Sequence, residues 1–382
     1  MNSNKKIIFL GPAHPFRGGI ASSSERLAEA LQDLGHDVKM YTFTTQYPKL
    51  IFPGKSQYTD SKAPKNLKIE RLYSSINPLS WIKLSKRLKK EQPDLIINRF
   101  WLPYLGMSSA YLMNQKRLAA NTKTTTIVDN LFPHQNMPGD KYCINYFMRS
   151  HNDFIVMSSS VGSEIADNFE GKNVELILHP VYDNYGESIS KLQACQNLDL
   201  DPQYNYVLFF GFIKPYKGLD LLLKSIDKNF FKSKNLKLLI AGEVYGSDEK
   251  YHKLIKDLEL ESEVIFHNKY IGDSEVASYF CASDLVAQTY LSATQSGISQ
   301  IALYYEKAVL VTDVGGLGEM VIHNKTGYVV DKDTNTIASA ISDFFTNERK
   351  SEFKTDIKSL KAENTWERFA EKLLNFMFEK NK

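Results

Sequence analysis

The 382-residue sequence predicts an α/β protein made of two doubly wound parallel sheets, on three observations. Short apolar runs alternate with amphipathic helical stretches along the whole length, with no series of hairpin signals between them. Two of these runs, in 207–218 and 308–319, stop at glycine-rich loops that lead into helix starts. The chain also exceeds one ordinary core, which predicts two domains of roughly 180 residues each.

The first half opens with an apolar strand over 5–10 that Gly11-Pro12 stops. Arg17-Gly18-Gly19 follows, then a helix from about Ser22 to Leu34 with Leu27, Ala30, Leu31 and Leu34 on one face. Gly35 closes that helix and 37–42 returns as a strand, completing a βαβ unit. Its glycines do not form G-x-G-x-x-G, so a nicotinamide enzyme is not expected. Residues 47–66 lack periodicity and carry Pro48, Pro53, Gly54 and Pro64, the composition of a functional or mobile loop. Strands are expected at 67–72, 94–98, 123–128, 153–157 and 174–179, and helices at 81–90 and 160–168. The helix at 81–90 sets Trp81, Ile82, Leu84 and Leu88 against Lys83, Lys86, Arg87, Lys89 and Lys90. Such a helix either packs on a sheet with solvated lysines or lies on anionic lipid. The polar stretch 182–201 reads as an interdomain linker.

The second half alternates in the same way. Strands are expected at 207–210, 236–241, 264–267, 284–287 and 309–312. Helices are expected at 219–226, 249–258, 274–282 and 299–305, with a short one near 318–322 and a turn at 324–327. The last two helices fall at 335–346 and 365–379. The domains are accordingly set at 1–185 and 200–364, with 365–382 packing back on the first.

Composition narrows the function classes. Apolar content of 43% and charged content of 24% are those of an ordinary globular protein. A net charge of +3 gives no argument for nucleic acid. Lys and Arg exceed Asp and Glu up to His179 and the rest is slightly acidic, which suits an anionic surface or merely a solvated face. Cys143, Cys195 and Cys281 lie far apart without metal-type spacing, as expected of reduced thiols in the cytoplasm. No run reaches the roughly 20 apolar residues that span a bilayer, and no metal is expected.

The candidate chemistry lies in the loops. Gly211, Lys214, Lys217 and Gly218 join a buried strand to a helix start, a pattern that points backbone N–H groups and ammonium groups at an anion, most often a phosphate. Alone it would equally be a surface turn. A second loop, Ser292-Ala293-Thr294-Gln295-Ser296-Gly297, and a third, Asp313 to Glu319, follow neighbouring strands and imply a ligand crevice at the strand ends. In the first half Asp129, Asn130 and His134 gather just after a strand, where they line a site or cap a turn.

These residues resemble the GT-B glycosyltransferases, specifically the family 4 retaining enzymes that use nucleotide sugars. The resemblance spans nearly the whole chain and rests on Gly18-Gly19, on Gly211 with Lys214 and Lys217-Gly218, and on Ala241-Gly242-Glu243. Residues 312–319, Asn324-Lys325-Thr326-Gly327 and Thr365-Trp366-Glu367 complete it. It implies two Rossmann-like domains facing across a cleft. Lys217 and Lys214 would neutralise the departing diphosphate. Gly18, Gly19, Gly211, Gly218, Glu243, Thr294, Gln295, Ser296 and Gly297 would bind the donor. At the reacting centre the family often places a histidine after the strand before the cleft. Here Asp129 matches that position with His134 a few residues on, and one or the other would touch the acceptor or sugar. Arg17, Arg99 and Asn130 would lie on the acceptor side.

The sequence departs from the family pattern where two glutamates are usual, since those positions align with Ala293 and Ile301. Hydrogen bonds from 294–296 could replace the first, but Ile301 accepts none. The expected activity is transfer of a hexose, with retention, from a nucleotide-diphosphate sugar to a glycan or lipid-linked acceptor. No cofactor beyond that co-substrate is expected. The expected place is the cytoplasm, with possible contact with the anionic inner face of the membrane. The alternatives are an epimerase or phosphorylase on the same fold, or a non-catalytic partner subunit. Tyr182, Tyr216, Tyr245 and Tyr290 are candidate ring contacts to a base or sugar, or simply packing.

Overall fold

The structure, a computed structural model, describes residues 4–47, 57–59, 62–133, 137–293 and 296–379. The chain divides into two compact units, Met1–His179 with Trp366–Lys382, and Pro180–Thr365.

The first unit begins β1 (Lys6–Leu10), α1 (Gly19–Asp33), β2 (Asp37–Thr45), β3 (Lys68–Ser74), α2 (Pro78–Glu91) and β4 (Leu95–Phe100). It continues α3 (Gly106–Met113), β5 (Lys123–Val128), α4 (Asp140–Met148), β6 (Asp153–Val156), α5 (Ser159–Asn168) and β7 (Asn173–Leu176). All seven strands are parallel, in the order β3-β2-β1-β4-β5-β6-β7. The order reverses beside β1, so the loops after β1 and β4 open on a switch point. Ile7, Phe9, Ile97 and Ile127 point to one face, under Leu27 and Leu31 of α1. Ile8, Leu10 and Ile96 point to the other, under Trp81, Leu84 and Leu88 of α2. Strands buried on both faces read as continuous apolar runs, which is why these were visible in sequence.

The second unit holds α6 (Lys191–Asn197), β8 (Asn205–Phe210), α7 (Leu219–Lys224), α8 (Lys228–Ser233), β9 (Leu236–Ala241), α9 (Glu249–Asp257) and β10 (Val264–His267). Then come α10 (Asp273–Ala282), β11 (Leu285–Gln288), α11 (Gly297–Tyr304), β12 (Ala308–Thr312), β13 (Gly327–Val330), α12 (Thr334–Thr346) and α13 (Arg349–Glu363). Its six parallel strands run β10-β9-β8-β11-β12-β13. The last helix, α14 (Trp366–Phe378), belongs to the first unit, where Trp366, Phe369, Leu373 and Phe376 join the core beside α1.

Several elements differ from the sequence reading. The stretch read as a linker contains α6, capped by the Ser190 hydroxyl on Gln193 N and packed against α10 through buried Ala194 and Cys195. Two buried positions in a polar stretch leave too little periodicity to see. Helices α3, α4, α8 and α13 arise where no element was expected, and α1 starts three residues early, at Gly19. The turn at 324–327 leads directly into β13. Among the described residues no helix is long and apolar enough to cross a membrane.

Candidate functional site

The loops at the C-terminal ends of β8, β9 and β11 meet within the second unit. Gly211 has φ +94° and Gly242 φ +153°, conformations that favour glycine. A Cβ on Gly242 would lie 2.1 Å from Gly211 O, so these two backbones touch. Gly218, at φ +66°, has no room either, because its Cβ would lie 2.0 Å from Thr289 O. Thr289 Oγ1 donates to Gly218 O at 2.8 Å and Leu291 N to Tyr216 O at 2.7 Å. The lysine-bearing loop is therefore fastened to the end of the adjacent strand.

Between those fastenings Pro215–Lys217 form a single 3-10 turn, and the Lys217 ammonium is carried back over Gly211. Its Nζ lies 3.2 Å from where a Gly211 Cβ would stand and 5.2 Å from the Tyr290 ring centre. Removal from water lowers its pKa from the ordinary 10.5 and outweighs the opposing influence of Tyr216. No carboxylate pairs with it among the described residues. A half-buried cation without a counter-ion is disfavoured, and an anionic ligand would relieve that cost.

Lys217 lines a cavity of about 260 Å³ in this unit. Gly211, Phe212, Gly242 and Glu243 line it from the β8 and β9 loops, Tyr270 and Asp273 from the start of α10, and Ile298 and Ile301 from α11. Phe212 stands 5.9 Å from Tyr245 and 6.1 Å from Tyr270 between ring centres. All three rings are largely exposed, an apolar mouth offered to a flat ligand. A larger cavity of about 460 Å³ lies by α8 and α12, but Asp227 and Asp343 line it without any lysine or arginine. It is no place for a phosphate.

The remaining candidates of this unit divide. Lys214 does not line the cavity; its Nζ sits 4.6 Å above the Tyr245 ring. Ser296 caps α11 by accepting from Ile298 N at 3.3 Å. Gly297 begins that helix under the Tyr182 ring, which a Cβ would approach to 2.9 Å. Thr294 and Gln295 lie outside the described residues. Ala293 packs against the core, and Ile301, 5% exposed, gives the cavity an apolar wall. Tyr290 is buried with its hydroxyl 3.3 Å from Ser296 Oγ, and burial pushes its pKa up to about 12.

In the first unit Gly18, at φ +113°, precedes α1, and no side chain caps the helix. Arg17 is exposed beside Gly18 and Gly19, and its N–H donates to Gln57 O at 3.0 Å. Arg99 and Asp129, at the ends of neighbouring strands, form a two-pronged ion pair with both N···O distances 2.6 Å. The Arg99 side chain is 1% exposed and is turned to Asp129, which is itself 12% exposed. Gly11 leaves it room, since a Cβ there would lie 3.1 Å from Arg99 Cβ. Asn130 is half-buried next to Asp129. His134 lies outside the described residues. Among the described residues no group of three or more His, Cys, Asp or Glu side chains could hold a metal ion.

Comparison with known proteins places this architecture. The model of the family described as Glycosyl transferases group 1 matches residues 192–377, and that of Glycosyltransferase Family 4 matches residues 17–184. The chain belongs to the group 1, family 4-like glycosyltransferases. It is 23% identical over 347 residues to an uncharacterized glycosyltransferase of Methanocaldococcus jannaschii, covering 90% of this chain and 89% of that one. It is 24% identical over 337 residues to a D-inositol 3-phosphate glycosyltransferase of Pseudarthrobacter chlorophenolicus, covering 82% and 78%. Among solved structures, a glycosyltransferase from Rickettsia africae superposes with a TM-score of 0.73 over 100% of both chains at 18% identity. An Anabaena protein, HepE, in complex with UDP gives 0.68 over 97% of this chain and 98% of that one, at 15% identity. The fold is GT-B, with one seven-stranded and one six-stranded Rossmann-like domain.

Seen on the glycosyltransferase, the sequence reading missed Phe212, Tyr270, Asp273 and Ile298. Phe212 stands in the loop between Gly211 and Lys214, where an aromatic ring carries no phosphate signal. Tyr270 and Asp273 belong to the loop and first turn of α10, fifty residues beyond the lysine loop, and only the sheet order brings them to it.

Proposed function

We propose that this glycosyltransferase moves a hexose from a nucleotide-diphosphate sugar to an acceptor hydroxyl, with retention of configuration. The single observation that carries the reading is Lys217, a half-buried ammonium with no counter-ion among the described residues, lining a cavity with Gly211 and Gly242. The diphosphate would sit beside its Nζ, against the side-chain-free backbone of Gly211. As the glycosidic bond to the diphosphate breaks, negative charge grows on the leaving oxygen and Lys217 stabilises it. That oxygen then takes the acceptor proton, so no side-chain nucleophile is needed. Phe212 and Tyr270 suit the base, and Asp273 and Glu243 are the carboxylates available to ribose or sugar hydroxyls now that Ile301 offers none. Solved neighbours in complex with UDP and with UDP-glucose support a uridine donor as the first to try.

The acceptor is proposed to be a polyhydroxylated glycan or glycolipid of the cell surface. Relatives named for D-inositol 3-phosphate and for lipopolysaccharide support that class. Three free cysteines support a reducing, cytoplasmic setting. The test is donor turnover: UDP-, GDP- and ADP-hexoses are supplied with glycolipid extract, and the anomeric configuration of the product is read by NMR. Release of one nucleotide with a retained anomer is the expected result. An inverted anomer, or no turnover of any donor, would overturn the reading.

A further inference from the structure

We infer that Tyr185 determines the nucleotide specificity of the donor site, reading the ribose hydroxyls of the donor together with Asp273. The inference rests on the donor reading above and deepens it to a substrate class: nucleoside diphosphates whose ribose keeps its 2′,3′-diol. Tyr185 comes from the polar stretch ahead of α6, yet it lines the same cavity as Lys217. It is fixed from behind. Tyr305 Oη donates to Tyr185 O and to Gly186 O, both at 2.9 Å. Its ring meets that of Tyr182 edge to face, 6.1 Å between centres. The hydroxyl itself has no hydrogen-bond partner among the described residues. Burial, and after it the negative charge of Asp273, push its pKa up to about 12. It therefore stays protonated at neutral pH, able both to donate and to accept.

The rest of the cavity leaves a diol few other partners. Val276, Ile298 and Ile301 form the wall from α10 and α11 and carry no polar side-chain atom. Gly211 N already donates to Ala241 O at 2.9 Å, and Gly242 N to His267 O at 3.1 Å. Lys217 is taken by the diphosphate. Tyr185, Glu243, Tyr270 and Asp273 remain, and of these Tyr185 is half-buried while the other three are exposed.

That difference in burial selects the reader. An exposed group exchanges a ligand hydroxyl for water at little cost, whereas a half-buried one is left unsatisfied when the hydroxyl is missing. Asp273, the first residue of α10, accepts only. A phenol that donates and a carboxylate that accepts match a diol, whose two hydroxyls each do both.

The test is calorimetric titration of UDP, GDP and ADP, each beside its 2′,3′-dideoxy counterpart, and of pyrophosphate. The proteins are wild type, Tyr185→Phe and Asp273→Asn, with thermal melting to confirm that both variants fold. Wild type is expected to bind one ribonucleotide at least about tenfold more tightly than its dideoxy counterpart. Tyr185→Phe should weaken the ribonucleotide by about tenfold and leave the dideoxynucleotide and pyrophosphate unchanged, so that the preference collapses. Asp273→Asn should reduce the same preference by a smaller factor, which keeps the inference testable should Tyr185→Phe not fold. It is overturned if wild type does not distinguish the two sugars, if Tyr185→Phe keeps the full preference, or if it weakens all three ligands alike, the mark of a merely structural ring. If wild type binds no nucleoside diphosphate at all, the donor reading itself falls and takes the inference with it.

Discussion

Two charges in the second unit, one buried and one half-buried, have opposite surroundings. Asp284, 1% exposed in its side chain, receives Lys191 at 2.8 Å, Lys350 at 2.5 Å and Tyr206 N at 2.9 Å. Burial would raise its pKa, but the two lysines outweigh that and hold it below the ordinary value. The cluster joins α6, β8, β11 and α13, so its charge is spent on the fold. Lys217 has no such partner, and burial pulls its pKa down. A closed charge cluster maintains structure, and an open one is completed by a ligand. The same contrast separates the Arg99–Asp129 pair in the first unit from the cavity in the second.

The comparison can be broken by exchanging the roles. Lys217→Ala is expected to reduce glycosyl transfer by about 10²–10³-fold, the usual effect of removing one group that meets developing charge. The apo protein should melt no lower, because an uncompensated cation has been removed. A large fall in melting temperature would show that Lys217 serves the fold. Asp284→Asn should do the reverse. It strands Lys191 and Lys350 and should cost about 3 kcal/mol in chemical denaturation, with transfer intact in whatever remains folded. Gly218→Ala, at φ +66° against Thr289 O, should cost about 2 kcal/mol and also weaken nucleotide binding, since the displaced loop carries Lys217.

Smaller effects sharpen the account. In the first unit burial opposes ionisation of Glu91, but hydrogen bonds from Tyr41 and Arg87 and the charges of Lys39 and Arg87 prevail and hold its pKa at about 2 against an ordinary 4.5. A depressed carboxylate stabilises the fold above the unfolded value. That stability, on the order of 2 kcal/mol, should be lost as pH falls from about 4.5 towards 2. Glu91→Gln should flatten the acid limb of the stability curve, and an unchanged limb would refute the assignment. Tyr270→Ala should weaken nucleotide binding by about tenfold through lost ring contact. Unchanged affinity in calorimetry would remove the base from that mouth.

How much was legible follows from which physical signal each feature leaves. Strands buried on both faces leave apolar runs, so β1, β8 and β9 could be read directly. The glycines at 211 and 218 could be read because no other residue tolerates their backbone where loops cross so closely. Helix α6 could not, since Ala194 and Cys195 are too few to set a period. Lys214 and Lys217 are equivalent in sequence, three residues apart with the same charge. Only the 3-10 turn turns one over the cavity and leaves the other above Tyr245. Arg99 and Asp129 lie 30 positions apart, and their pairing depends on β4 lying beside β5.

The most direct measurement is calorimetric titration of UDP, GDP and ADP into wild type and Lys217→Ala across alkaline pH. The account predicts that one nucleotide binds wild type and is lost or strongly weakened in the variant. It also predicts that wild-type affinity falls as pH rises, beginning below the ordinary lysine value of 10.5, because the lowered ammonium must be protonated to hold a diphosphate. Equal affinity in both proteins, flat across that range, would contradict the claim that Lys217 is an open charge completed by the donor.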